Sequence, residues 1–161
     1  MRLIFGDKEA VEYLVNSGLD LSLWLDTEYF VAYGNTYLDD NLLFSHHCED
    51  DGTNAVFYGQ LFEKNGQGES PAKYIYHQIS IAKRSIWDID GEFVFFIFKK
   101  DEPQSLTIYT ERIGTIPLYA RRDQERISLA TSMIDLAPSI NYDDLDMIGI
   151  MNLLYYGNPI G

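Results

Sequence analysis

Thiol and imidazole side chains, the softer nucleophiles and usual zinc ligands, are sparse in this chain. Cys48 is its single cysteine, His46 and His47 stand directly before it, and the third histidine, His77, lies far along the sequence. A zinc site needs about four ligands converging on one point, whereas neighbours in an extended segment point to opposite faces. The run 46–48 therefore predicts no metal site, and helical spacing puts His77 on a helix exterior. Cys48 could act as an amino-terminal nucleophile only after loss of residues 1–47. That cleavage would leave a charged start, Cys-Glu-Asp-Asp-Gly, and discard several strands. Asp39-Asp40 and Asp143-Asp144 lack the alternate-residue spacing of a calcium loop and read as solvated or capping residues. Arg112, placed between a strand and a bend, is expected to cap local carbonyls or to pair with Glu111 or Asp90. The tyrosines at 74, 76, 155 and 156 read as core-edge and interface side chains.

Any such chemistry depends on the elements that position it. A short strand over 3–5 is followed by Asp7 as helix N-cap, and Ala10, Val11, Leu14 and Val15 share a face over 8–16. The β-branched and aromatic stretch 28–38 contains Gly34-Asn35, which predicts a hairpin turning there. Strands are expected over 42–46 and 54–62, with a turn over 49–52 and a surface loop over 64–70. Ser70-Pro71 opens the clearest helix, whose stripe of Ala72, Ile75, Ile79, Ala82 and Ile86 leaves Lys73, His77, Lys83 and Arg84 outside. After it come strands over 92–99 and 105–111, then a bend between Gly114 and Pro117. A hairpin over 118–131 follows, and a final helix is expected near 143–156. The run 90–136 reads as one antiparallel meander. Many antiparallel strands with single-striped helices imply an α+β layered architecture, with helices packed on sheets.

Composition excludes several functions. At 161 residues one domain with a single sizeable core is expected, and 46% hydrophobic residues with 14% aromatics exclude disorder. Twelve basic against 25 acidic residues give a formal charge of −13, which argues against nucleic acid and anionic membranes as partners. The Arg121-Arg122-Arg126 cluster, interrupted by Asp123 and Glu125, reads as a solvated hairpin tip. The apolar runs are too short to span a bilayer, Met1–Phe5 carries no signal-peptide core, and one cysteine suits a reducing compartment. A cytoplasmic location is expected.

Three pieces stand in order: Asp90-Gly91-Glu92-Phe93-Val94-Phe95, then Glu111-Arg112-Ile113-Gly114-Thr115-Ile116-Pro117-Leu118-Tyr119, then Leu129-Ala130-Thr131-Ser132. Together they resemble the amino-terminal glutaminase (class II glutamine amidotransferase) domain of asparagine synthetase and its relatives. Gly91, Phe93 and Phe95 match that family's Gly-x-Phe-Ala-Phe strand. Arg112, Gly114, Pro117, Leu118 and Tyr119 match its Arg-Asp-Arg-Phe-Gly-x-x-Pro-Leu-Tyr segment, with Glu111 for the aspartate and Ile113 for the phenylalanine. Ala130 and Ser132 match its Phe-Ala-Ser-Glu strand, with Thr131 inserted. The resemblance covers roughly 88–160 well, 54–62 faintly and 1–53 hardly at all. It implies the amino-terminal-nucleophile (Ntn) hydrolase fold, an αββα sandwich of two antiparallel sheets with helices on the outer faces.

In active members the resemblance implies an amino-terminal cysteine whose thiolate attacks the glutamine amide and whose own amine is the base. Here Arg2 predicts that Met1 is retained, and the first residue of the Cys, Ser or Thr kind is Ser17. The family's oxyanion Asn-Gly falls nearest Tyr58-Gly59, and its Gly-Asp-Thr-Glu substrate anchor is replaced by Glu69-Ser70-Pro71-Ala72. No catalytic residue is therefore expected, with Tyr58 and Gly59 a vestigial substrate-binding pair at most.

The expected domain spans 1–157, and 158–161 begins a linker to a synthetase domain of the same polypeptide. ATP and magnesium would belong to that downstream domain, because no Ser-Gly-Gly-x-Asp-Ser segment occurs in this chain. The expected role is a non-catalytic scaffold of an ATP-dependent amide-forming ligase, similar to β-lactam synthetases and lasso-peptide cyclases. The alternatives are an active ammonia-supplying glutamine amidotransferase and a free-standing interaction or ligand-binding module. A homodimer stays open.

Overall fold

A computed structural model of the chain describes residues 2–35, 43–63 and 68–137. These form β1 (Arg2–Asp7), α1 (Lys8–Asn16), β2 (Ser22–Asp26), β3 (Phe30–Asn35), β4 (Leu43–Cys48), β5 (Thr53–Leu61), α2 (Pro71–Ser80), β6 (Gly91–Lys99), β7 (Glu102–Thr110), β8 (Tyr119–Asp123) and β9 (Arg126–Ala130). Short 3₁₀ turns occupy Ile86–Asp88 and Met133–Leu136. The expected helix near 143–156 and the linker at 158–161 lie outside the described residues.

The strands make two antiparallel sheets, β2-β3-β1-β9-β8 and β4-β5-β6-β7. Period-two alternation decides how the sheets stack. On β1, Leu3 and Phe5 face one core while Ile4 faces another with Val11 and Leu14 of α1. On β6, Val94, Phe96 and Phe98 join the core of Leu3 and Phe5, while Phe93 and Phe95 turn outward to Ala72 and Ile75 of α2. The sheets therefore pack face to face, with α1 covering the outer face of the first and α2 that of the second. This is an α+β sandwich.

The unbroken apolar run Phe93–Phe98 is explained by this stacking, because β6 is buried on both faces. Seven of the nine phenylalanines are under 2% exposed; each stabilises by roughly 1.5–3 kcal/mol through burial, so they dominate the core. Phe5 stacks on Phe96 with ring centroids 4.4 Å apart, and Phe30 tilts against Phe98 at 4.7 Å.

Several expectations are corrected. Residues 28–35 do not turn at Gly34-Asn35; Gly34 lies within β3, opposite Leu3 and Ser22. The hairpin is instead β2–β3, turning over 27–29, where Thr27 Oγ1 accepts from Phe30 N–H at 3.0 Å. The apolar stripe of α2 overran the helix: it ends at Ser80, Ile81 is exposed, and Lys83 takes positive φ. The supposed meander is split, because β6–β7 belong to one sheet and β8–β9 to the other. Asp7 precedes α1 as expected, yet its carboxylate accepts from Ile127 N–H at 2.5 Å and does not cap the helix. Ser70 does cap α2, accepting from Lys73 N–H at 3.3 Å, with Pro71 as first helical residue. Among the described residues no helix is long and apolar enough to cross a membrane.

Candidate functional site at the head of strand β1

Glutaminase-type chemistry would require a nucleophile at the head of β1 and an oxyanion donor near residues 58–59. Arg2–Asp7 reads Arg-Leu-Ile-Phe-Gly-Asp, with neither thiol nor hydroxyl. Strand pairing secures the head of β1: Arg2 N–H donates to Asn35 Oδ1 at 3.1 Å, and Leu3 N–H donates to Thr131 Oγ1 at 3.0 Å. The Arg2 guanidinium grips Asp135 through two of its nitrogens, Nε to Oδ2 at 2.9 Å and Nη2 to Oδ1. Asp135 is fully buried, and its hydrogen bond raises the Arg2 pKa further. This fork against a carboxylate serves packing. No local pattern in the sequence reveals a pair separated by this much chain.

Across the space between the sheets lies Tyr58, 1% exposed, its phenol pushed up to about 12 by burial. It belongs to the core that contains Leu3 and Phe5. The bulge in β2 between Leu23 and Leu25 makes Trp24 the extra residue, so that Trp24 and Leu25 both meet this core. The Trp24 ring lies 5.0 Å from Phe44 and 6.0 Å from Tyr58 by centroids. A Cβ on Gly34 would stand 2.2 Å from the same ring, so glycine there makes room for the indole. Trp24, Phe44 and Tyr58 thus pack together against the intersheet core, beside Gly34, the residue paired with Leu3 of β1.

Gly59 sits inside the second sheet, opposite Leu43 on one side and Phe93 on the other. Its φ is +140°, and a Cβ would approach Glu92 O to 2.2 Å and Phe93 Cα to 2.6 Å. Close approach of β5 to β6 accounts for this glycine without any ligand.

The 111–118 segment crosses from one sheet to the other. Glu111 is buried at its start and accepts from Ile113 N–H, Thr115 N–H and Thr115 Oγ1–H, the last at 2.6 Å. Burial alone would raise its pKa, but the donors from Thr115 and Ile113 outweigh burial and hold the carboxyl below its usual 4.5. Gly114, at φ +69° with open space around it, completes the turn. Because the folded pKa is depressed, the stabilisation is present above pH 4.5 and is lost as pH falls through the folded value. Glu111→Gln is expected to cost about 1–2 kcal/mol at pH 7 and much less at pH 3, as urea melts at the two pH values would show.

Arg112 departs from expectation. It is exposed, makes no ion pair with Glu111 or Asp90, and borders an open groove of about 570 Å³ with Trp87, Asp88 and Thr110. A second open cleft of about 410 Å³ lies between α1 and the β8–β9 hairpin. Its arginines are occupied: Arg126 pairs with Glu9, and Arg121 Nη1 donates to Leu136 O at 2.9 Å. Arg122 donates locally to Gln124 O at 3.1 Å on the exposed strand β8, as a solvated tip would.

His46 and His47 point apart as expected. His46 Nε2 lies 2.9 Å from Asn54 Oδ1, whereas His47 Nε2 lies 2.9 Å from Glu49 Oε1. His77 does not face solvent alone: its Nε2 is 3.5 Å from Glu49 Oε1 and its Nδ1 is 3.2 Å from Glu69 Oε1. The i, i+2 spacing of His47 and Glu49 was the available signal; the docking of α2 over β4 supplied the rest. Cys48 is exposed, and its Sγ donates to Glu49 O at 3.5 Å.

No family model matches this chain, and no curated protein matches it in sequence.

Proposed function

We propose that this chain is a non-catalytic glutaminase-type domain of the Ntn-hydrolase-like kind, acting as scaffold for an ATP-dependent amide-forming ligase. The observation carrying the reading is the packing of Trp24, Phe44 and Tyr58 beside the start of β1, with Gly34, paired with Leu3, bare beneath the indole. Supporting it are the face-to-face sheets with a helix on each outer face, and the 111–119 segment that bridges them.

The motif residues have architectural tasks. Glu111 and Gly114 shape the crossing between sheets, Gly59 lets two strands approach, and Ala130 pairs with both Ile4 and Tyr119. Glutamine hydrolysis would need an attacking thiolate, a nearby base and a donor for the developing oxyanion. In their place stand an Arg2–Asp135 fork, an aromatic plug and a glycine held inside a sheet.

In this reading ATP and magnesium are used by a synthetase domain of the same polypeptide, and that domain supplies the chemistry. Its carboxylate substrate would be activated by adenylation, with this domain as a supporting wall. The single exposed Cys48 and the requirement for ATP fit a cytoplasmic setting. The test is to assay the natural polypeptide containing this chain for carboxylate-dependent pyrophosphate release from ATP and for ammonia release from glutamine. The proposal expects the first without the second. Glutamine hydrolysis, or a natural reading frame that ends at Gly161, would overturn it.

A further inference from the structure

We infer that His47, Glu49 and His77 form a binding site for one divalent transition-metal ion of the zinc class, with Glu69 orienting His77. The Nε2 atoms of both histidines converge on the same oxygen, Glu49 Oε1, at 2.9 and 3.5 Å. One ligand atom from each of the three residues lies within 4.8 Å of the others. Zinc bonds of about 2.0–2.1 Å in tetrahedral geometry put ligand atoms about 3.3 Å apart. Small side-chain rotations would reach that spacing without moving the backbone.

The donor chemistry narrows the ion. Two imidazoles with one carboxylate suit zinc and its neighbours, whereas calcium and magnesium are held by oxygen ligands. The ring atom of His77 turned away from the cluster, Nδ1, lies 3.2 Å from Glu69 Oε1. A carboxylate behind a ligating histidine fixes its tautomer and ring orientation and raises its basicity. His47, Glu49 and His77 are partly exposed, with side-chain exposures of 21, 30 and 33%, so water can fill the remaining coordination position.

The backbone beneath the cluster is firmly held. Ser45 of β4 accepts from Ala72 N–H of α2 at 3.0 Å, joining the two elements that carry the ligands. The turn that presents Glu49 is closed by Glu49 N–H to Thr53 O at 2.8 Å and Gly52 N–H to Glu49 O at 3.0 Å. A bound ion would therefore clamp α2 to the edge strand β4 and stabilise the outer layer of the second sheet. His46, committed to Asn54, and Cys48, facing away from His47 along the strand, take no part.

The test uses the chelator-stripped chain, titrated calorimetrically with Zn²⁺ and followed by visible absorption with Co²⁺. One equivalent of Zn²⁺ should bind, raising the melting temperature, and Co²⁺ should give the ligand-field bands of a four- or five-coordinate site without a thiolate charge-transfer band. Glu69→Gln should weaken affinity by about 10–100-fold, and His47→Ala or His77→Ala by more, with Cys48→Ser and His46→Ala unchanged. Absence of saturable binding, affinity that survives His77→Ala, or dependence on Cys48 would overturn the site. The Co²⁺ spectrum of the unaltered chain decides independently of variant folding: featureless absorption also overturns it.

Discussion

Gly59→Ala is expected to destabilise the chain by about 3–4 kcal/mol, combining backbone strain of about 1–3 kcal/mol with a comparable overpacking cost. The added methyl would meet Glu92 O at 2.2 Å, and that oxygen belongs to a paired strand and cannot swing aside. Gly114→Ala separates the two contributions. Gly114 also has positive φ, yet nothing lies within 4 Å of its missing Cβ, so strain acts alone and about 1 kcal/mol is expected. Urea denaturation of both variants checks the difference. If Gly59→Ala were as mild as Gly114→Ala, the approach of β5 to β6 would not be what requires glycine at 59.

The second large effect is expected at the head of β1. Arg2→Met removes the guanidinium that forks onto Asp135, leaving a fully buried carboxylate without its partner. A cost of about 3 kcal/mol is expected, in the range for breaking a buried pair from one side. Arg2→Met combined with Asp135→Leu should recover most of the loss, because removing both charges leaves neither one buried alone. Denaturant midpoints for the two singles and the double give the coupling directly. Additive losses would show that the pair does not act as a unit.

Much of the layered fold is readable from local patterns. Asp7 through Asn16 announces α1, Ser70-Pro71 announces α2, and the all-apolar run at 93–98 marks a strand covered on both faces. Reading failed where a residue served a distant partner. Gly34 looks like a turn and is instead the floor beneath Trp24, which a bulge in β2 turns inward. Trp24 itself falls in a strand that local composition did not mark. The stripe of α2 continues in sequence to Ile86 although the helix stops at Ser80. Continuous spacing therefore cannot show where packing ends.

The candidate site was legible in the same uneven way. The Gly114–Pro117 bend stands out by residue type, whereas Tyr58-Gly59 is marked only by the faint resemblance to glutaminase domains; the architectural tasks of both emerge from the strand register and local hydrogen bonds. The Arg2–Asp135 fork and the approach of His77 to Glu49 join residues on separate elements, so only the assembled layers bring them together. Asp7 shows a subtler limit. Its position before α1 is right for a cap, but the backbone N–H of Ile127 in β9 holds the carboxylate.

The proposal that this chain is a glutaminase-type domain without glutaminase chemistry is tested most directly by assay of glutamine hydrolysis. The natural polypeptide carrying this chain should be purified, incubated with glutamine and ATP, and sampled for glutamate and ammonia over many multiples of the enzyme concentration. The account predicts no release above a protein-free control, with the aromatic plug of Trp24, Phe44 and Tyr58 intact. Stoichiometric glutamate and ammonia, rising linearly with protein, would contradict it.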